Sequence, residues 1–164
     1  MSDALLRFAD AVARDPAPAP ATAGERHLVT FALDGEEFGI PVVRVREVIR
    51  VSEITRVPQA PPHVRGVTNL RGRILPVVDL RSRFGLPAAD VTSRSRIVVV
   101  EAGDRVVGLL VDAVLQVAKV PLDVIAAPPE EVRSEDADYL SGVARWNGRI
   151  IILLELEKAL LLHE

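Results

Sequence analysis

One pattern is written twice in this chain. GVTNLRGRILPVVDL, Gly66 to Leu80, returns as GVARWNGRIIILLEL, Gly142 to Leu156, with Gly, Val, Gly, Arg, Ile, an acid and Leu at one constant offset. Upstream the echo continues. A shift of 69 residues sets Leu28-Val29 on Ile97-Val98, Phe31 on Val100 and Gly39-Ile40 on Gly108-Leu109, and sets Val42, Val45 and Val48 on Val111, Val114 and Val117. From Gly66 onward the shift is 76. The extra residues fall around APPEEVRSEDAD, Ala127 to Asp138, an acidic loop of the kind that tolerates insertion. Matches in this number and order, with one insertion, imply an internal duplication. Each half is only about 70 residues, near the lower limit of what buries a core alone. Two such units are therefore expected to pack together and leave a groove between them.

The local texture is β from Glu25 onward. HLVTFALDGEEFGI reads as two short strands around the turn pair Asp34-Gly35, and RIVVVEAGDRVVGLLV repeats that form around Gly103-Asp104. Asn147-Gly148 is another strong turn signal. Short helices are expected from Asp79 to Phe84 and from Glu155 to Leu162, each opened by an acid that suits a helix start. Gly66, Gly72, Gly142 and Gly148 are assigned to tight hairpins. The expectation is an all-β chain of two similar small barrels side by side, with the pseudo-repeats spanning roughly 25–90 and 91–162 and with strands free to exchange between them. Residues 1–24 stand apart. Leu5, Leu6, Phe8, Ala9, Val12 and Ala13 fall mostly on one helical face, and PAPAPATAG after them favours an extended spacer.

Composition removes several function classes. The 164 residues contain no cysteine, which leaves no disulfide framework, no thiolate metal site and no cysteine nucleophile. The net charge of −3 gives no general attraction to nucleic acid or anionic lipid. Nothing resembles a signal peptide, no stretch approaches the ~18 apolar residues of a membrane span, and a cytoplasmic location is expected. His27, His63 and His163 have no metal-ligand spacing and no nucleophile at a recognisable elbow, so no metal, cofactor or catalysis is expected. Arg65, Arg71, Arg73, Arg81 and Arg83 cluster, but the only aromatic residue near them is Phe84, a poor stacking platform for single strands.

Positions at which the copies differ are candidates for function. Glu47 falls on Gln116 and Arg71 on Asn147, so a potential ion pair in the first half becomes two neutral amides in the second. An exposed ion pair contributes only about 0–1 kcal/mol, a weak motive for keeping it once. An arginine oriented by a carboxylate is a better recognition element than a strut. Trp146, the one tryptophan, is expected to be buried at the second hairpin.

The run GVTNLRGRILPVVDLRSRFGLP, with VREVIR upstream and GVARWNGRIIILLELEKAL near the end, resembles the CheW family of bacterial chemotaxis coupling proteins over residues 26 to about 162. The resemblance implies two SH3-like five-stranded barrels and a non-catalytic adaptor. Its partners would be the cytoplasmic hairpin tip of a chemoreceptor and the regulatory domain of a CheA-type histidine kinase, at receptor arrays. It also implies receptor contact in the groove between barrels, through an Arg in the NLRG motif held by a Glu of the V-x-E-[IV] motif. These carry over onto Arg71 and Glu47, with Asn69 and Val45 from the same motifs and with Val111 and Val114 as the second barrel's share. An alternative is the scaffold of a non-flagellar chemosensory system, its N-terminal helix docking a localisation partner.

Overall fold

The computed structural model describes residues 24–130 and 138–160. The expected N-terminal helix and nearly all of its linker lie outside the described residues, as does much of the acidic loop. Among the described residues the chain is mostly strand. In order these are β1 (Glu25–Leu33), β2 (Glu36–Pro41), β3 (Val45–Arg50), β4 (Val64–Leu70), β5 (Arg73–Asp79), β6 (Arg96–Ala102), β7 (Arg105–Val111), β8 (Ala113–Pro121), β9 (Ile125–Ala126), β10 (Leu140–Trp146) and β11 (Arg149–Leu154). Short helices follow β5 at Leu80–Arg83 and β11 at Leu156–Ala159. Asp79 caps the first, its carboxylate accepting from the backbone N–H groups of Arg81 and Ser82. Glu155, one methylene longer, makes no such cap on the second.

The strands form two sheets with orders β8-β1-β2-β11-β10-β9 and β3-β6-β7-β5-β4. Under the repeat, β1, β2, β8, β10 and β11 correspond to β6, β7, β3, β4 and β5, and the two orders become the same list. The place of β9 is taken in the other sheet by a single bridge, Thr55 to Val67. Each sheet takes strands from both halves. The hairpin β1–β2 pairs with β8 and β11, while β6–β7 pairs with β3 and β5. The joints β2–β11 and β5–β7 are parallel and every other pairing is antiparallel.

Packing follows from this exchange. One cluster, with Leu28, Ala118, Val120, Ala144, Ile151 and Leu153, belongs to the first sheet, and another, with Leu75, Val77, Ile97, Val99 and Leu110, belongs to the second. A third and larger cluster draws on both sheets, with Val29, Phe31 and Ile40 meeting Val98, Val100 and Leu109. Strands buried on both faces need apolar residues at every position rather than at alternate ones, hence the run Ile97-Val98-Val99-Val100 in β6. Gly39 and Gly108 occupy equivalent tight places. A Cβ on Gly39 would meet Leu28 and Ile151, and one on Gly108 would meet their repeat counterparts Ile97 and Leu75.

Gly66 and Gly142 are not in hairpin turns as the sequence suggests. Each lies within a strand beside a register shift, where a neighbouring carbonyl crowds it. At Gly66, with φ +150°, an added Cβ would lie 2.2 Å from the Thr55 carbonyl oxygen. The turn glycines Gly72 and Gly148 behave as expected, each following a residue that also has positive φ.

Two charged contacts fasten the sheets. Arg81, on the helix after β5, donates from Nε and Nη2 to the Asp112 carboxylate at 2.9 and 2.8 Å, and that carboxylate accepts the Asp34 N–H of the β1–β2 turn at 2.8 Å. Glu157, the repeat counterpart of Arg81, accepts from Arg44 Nη1 at 2.6 Å and from the Gly103 N–H of the β6–β7 turn at 3.3 Å. Each short helix is thus tied to the hairpin turn of the opposite sheet, once through an arginine and once through a glutamate, with partners one position apart in the repeat.

Two outcomes are expected. Gly66→Ala should destabilise the fold by roughly 2 kcal/mol or more in urea titration, against about 1 kcal/mol for Gly72→Ala, whose Cβ meets open space. The bonds from Arg81 hold the Asp112 carboxyl below its usual range, so its contribution is present above the unfolded carboxyl's pKa of about 4 and is lost as pH falls through the lower folded value. Asp112→Asn should therefore be less stable than the parent at pH 7, with the gap in thermal midpoint closing in the acid range below pH ~4.

Candidate functional site

The hairpin β4–β5 turns at Arg71-Gly72, with φ values of +51° and +85°. This is the geometry of a tight hairpin turn, in which asparagine is favoured at the first position and glycine at the second. The second copy obeys that preference with Asn147-Gly148, at +55° and +75°. The first copy instead holds an arginine in the left-handed region, where a residue with a Cβ is disfavoured by about 1 kcal/mol. Asn69 supports the turn, its Oδ1 accepting the Gly72 N–H at 2.8 Å.

Arg71 does reach Glu47. Its Nη1 donates to Oε1 at 3.2 Å and its Nη2 to Oε2, a two-pronged pairing of planar groups. The Arg71 side chain is 69% exposed and that of Glu47 29%. The carboxylate holds the guanidinium above its ordinary pKa, first through the hydrogen bond and then through charge. The turn thus holds an exposed, oriented cation on a backbone conformation that disfavours it.

A β-bulge brings Glu47 to this place. In β3 the register slips between Val45 and Glu47, so Arg46 is the extra residue. Val45 consequently packs against the core shared by the sheets, while Glu47, two residues on, lines a cleft at the end of its own barrel. Around Arg71 and Glu47 that cleft includes Leu70, Arg73, Ile74 and Val106, and its volume is about 480 Å³. Ile74 on its rim is 71% exposed.

The expected site residues therefore divide. Glu47, Arg71 and Asn69 come together at the end of the sheet β3-β6-β7-β5-β4, the first barrel since it holds β3, β4 and β5 of the first half; β8-β1-β2-β11-β10-β9 is the second barrel. Val45 and its repeat counterpart Val114 lie partly buried at the seam between the sheets. Val111 is 1% exposed inside the shared core and has no surface to offer a partner, which corrects its inclusion. The residue points inward because β7 is covered on both faces. Trp146 is partly buried against the cluster of the first sheet.

A second correction concerns the amides of the second copy. Gln116 is positioned by the same bulge, with Leu115 as its extra residue, but it turns to Glu37 rather than to Asn147. Its Nε2 donates to Glu37 Oε2 at 3.1 Å, and Arg149 binds the same carboxylate, with Nε 2.9 Å from Oε1 and Nη2 3.1 Å from Oε2. The equivalent place is thus not uncharged; it holds a carboxylate that sequence comparison missed because its repeat counterpart is Val106. Glutamate opposite valine in an otherwise apolar alignment was the available signal.

Most of the clustered arginines are engaged internally. Arg65 pairs with Asp79, Arg71 with Glu47 and Arg81 with Asp112, and Arg83 donates to the carbonyls of Ala159 and Lys158. Among the described residues no group of His, Asp or Glu is arranged to hold a metal. No helix among them is long and apolar enough to cross a membrane.

A family profile described as the CheW-like domain matches residues 27–163. The chain belongs to the CheW family. A chemotaxis protein CheW of Rhizobium meliloti (strain 1021) is 40% identical over 136 residues, covering 83% of this chain and 88% of that protein. Protein FrzA of Myxococcus xanthus is 32% identical over 151 residues, covering 91% and 94%. Among solved structures, the scaffolding protein TtCheW of Thermoanaerobacter tengcongensis superimposes with a TM-score of 0.78 at 34% identity, covering 85% of this chain and 94% of that one. This likeness agrees with the expected pair of SH3-like barrels and with a chemotaxis scaffold.

The left-handed arginine has a measurable consequence. Arg71→Asn should leave the fold intact and raise its stability by about 0.5–1 kcal/mol, read by urea denaturation, because asparagine suits the turn and the exposed ion pair contributes little.

Proposed function

We propose that this protein is a non-catalytic adaptor coupling chemoreceptors to a CheA-type histidine kinase at cytoplasmic receptor arrays. The cytoplasmic hairpin tip of the receptor docks at the end of the first barrel, on Arg71. Glu47 sets the plane of the guanidinium and Asn69 secures the turn that carries it. Val45 and Val114, partly buried at the seam, contribute apolar contact. The kinase regulatory domain, itself a double barrel in this family, engages another face, barrel against barrel. One observation carries this reading: an arginine kept in a backbone conformation that disfavours it, braced by a carboxylate, with most of its side chain in solvent.

An interface built on one oriented cation and a small cleft suits ~micromolar affinity for each contact, strengthened by the many copies in an array. Arg71→Glu should weaken binding to a purified receptor cytoplasmic fragment by about tenfold or more, with the thermal midpoint nearly unchanged. Adding Glu47→Arg should recover part of the loss. Zero coupling in that double-mutant cycle would separate the two side chains functionally, and a receptor affinity indifferent to Arg71→Glu would refute the docking site.

A further inference from the structure

The two barrel ends differ in how they treat one arginine. In the second barrel Arg149 grips Glu37, which is only 9% exposed and is bound also by Gln116. The repeat places Arg73, Val106 and Glu47 at these three positions in the first barrel. Val106 brings no carboxylate, and Glu47 is engaged by Arg71. Arg73 is exposed at the cleft and, among the described residues, makes no ion pair or side-chain hydrogen bond, unlike the other arginines of its cluster. The first barrel therefore keeps the cation and the cleft but has no carboxylate at the place of Glu37.

We infer that the first-barrel cleft receives a carboxylate side chain from the bound protein partner, at the place that Glu37 fills in the second barrel, with Arg73 gripping it and Arg71 alongside. The second barrel carries, as part of its own chain, a template of the bound state. The charges favour this occupant. Arg46, Arg71 and Arg73 line the cleft with Glu47 as its one acid and an otherwise apolar lining; Arg46 pairs with Glu101 and Arg71 with Glu47, which leaves Arg73 as the cation for the occupant. An acidic side chain flanked by an apolar one fits, the apolar neighbour resting on exposed Ile74. Arginine meets a carboxylate with two parallel hydrogen bonds, which gives orientation as well as attraction. This inference rests on the reading of Arg71 as the receptor contact and adds to it the chemistry that the receptor tip must present.

The test supplies the missing anion from within. Val106→Glu puts a carboxylate where the second barrel already accommodates one, and Val106→Gln is its uncharged control. The full chain would be titrated with a purified chemoreceptor cytoplasmic hairpin, with circular dichroism confirming the fold of each variant. Val106→Glu should weaken binding by roughly tenfold or more and Val106→Gln by less than about threefold. Arg73→Gln should weaken it about fivefold and flatten its dependence on salt. If folded Val106→Glu and Arg73→Gln both bind like the parent while Arg71→Glu does not, the carboxylate is refuted and the docking site stands. If Arg71→Glu also binds like the parent, the docking site itself is refuted. Should Val106→Glu fail to fold, Arg73→Gln decides: unchanged affinity overturns the inference, and a salt-sensitive loss upholds it.

Discussion

The shared core between the two sheets is the constraint from which the rest follows. It is built chiefly from the hairpins β1–β2 and β6–β7, which stand at equivalent places in the repeat. Each hairpin is covered twice, once by the shared core and once by a barrel made largely of the other half's strands. Removing either hairpin would open one barrel and strip the interface together. At about 70 residues each half is near the lower limit of what buries a core alone, and exchanging hairpins ties the two halves through one shared core.

On this symmetric frame the polar chemistry has diverged. The helix residues Arg81 and Glu157 are counterparts of opposite charge, and each finds its partner one position apart in the repeat, arginine reaching Asp112 at one end and glutamate meeting Arg44 at the other. His63 and Tyr139, also counterparts, keep only the backbone bond from the residue before each helix, at 2.8 and 2.7 Å. Tyr139 stacks on Phe84 at 4.4 Å, whereas Nδ1 of His63 is buried without a hydrogen-bond partner among the described residues, and burial together with nearby Arg83 lowers its pKa. Backbone geometry tolerates such exchanges because a hydrogen-bonded pair works in either polarity, while the apolar positions must keep their volumes to fill a close-packed interior.

The barrel ends carry this divergence to the proposed docking site. Both have a bulge that turns one residue of β3 or β8 toward a polar partner, Glu47 to Arg71 at the hairpin tip and Gln116 to Glu37 on β2, and both have an arginine after the turn glycine. In one end the polar groups close on one another around Glu37; in the other they remain turned outward around Arg71. Asn69 secures the hairpin and Glu47 orients the guanidinium, an arrangement that would reduce the conformational freedom lost on the proposed docking.

The sequence by itself determined the duplication, the β content, the turns at Asp34-Gly35 and Asn147-Gly148, the acids before the short helices and the singular status of Glu47 and Arg71. These are local or periodic signals, and turn chemistry and apolar patterning are read from neighbours in the chain. Only the tertiary structure decided which half's hairpin completes which sheet, that Val111 is sealed inside while Glu47 is not, that Gly66 yields to a carbonyl rather than to a turn, and that Glu37 satisfies Arg149 while Arg73 is left facing solvent. Each of these depends on residues far apart in sequence meeting across a bulge or an exchanged strand. A one-residue slip in register reverses the face to which every following side chain points, so linear spacing could not have disclosed them.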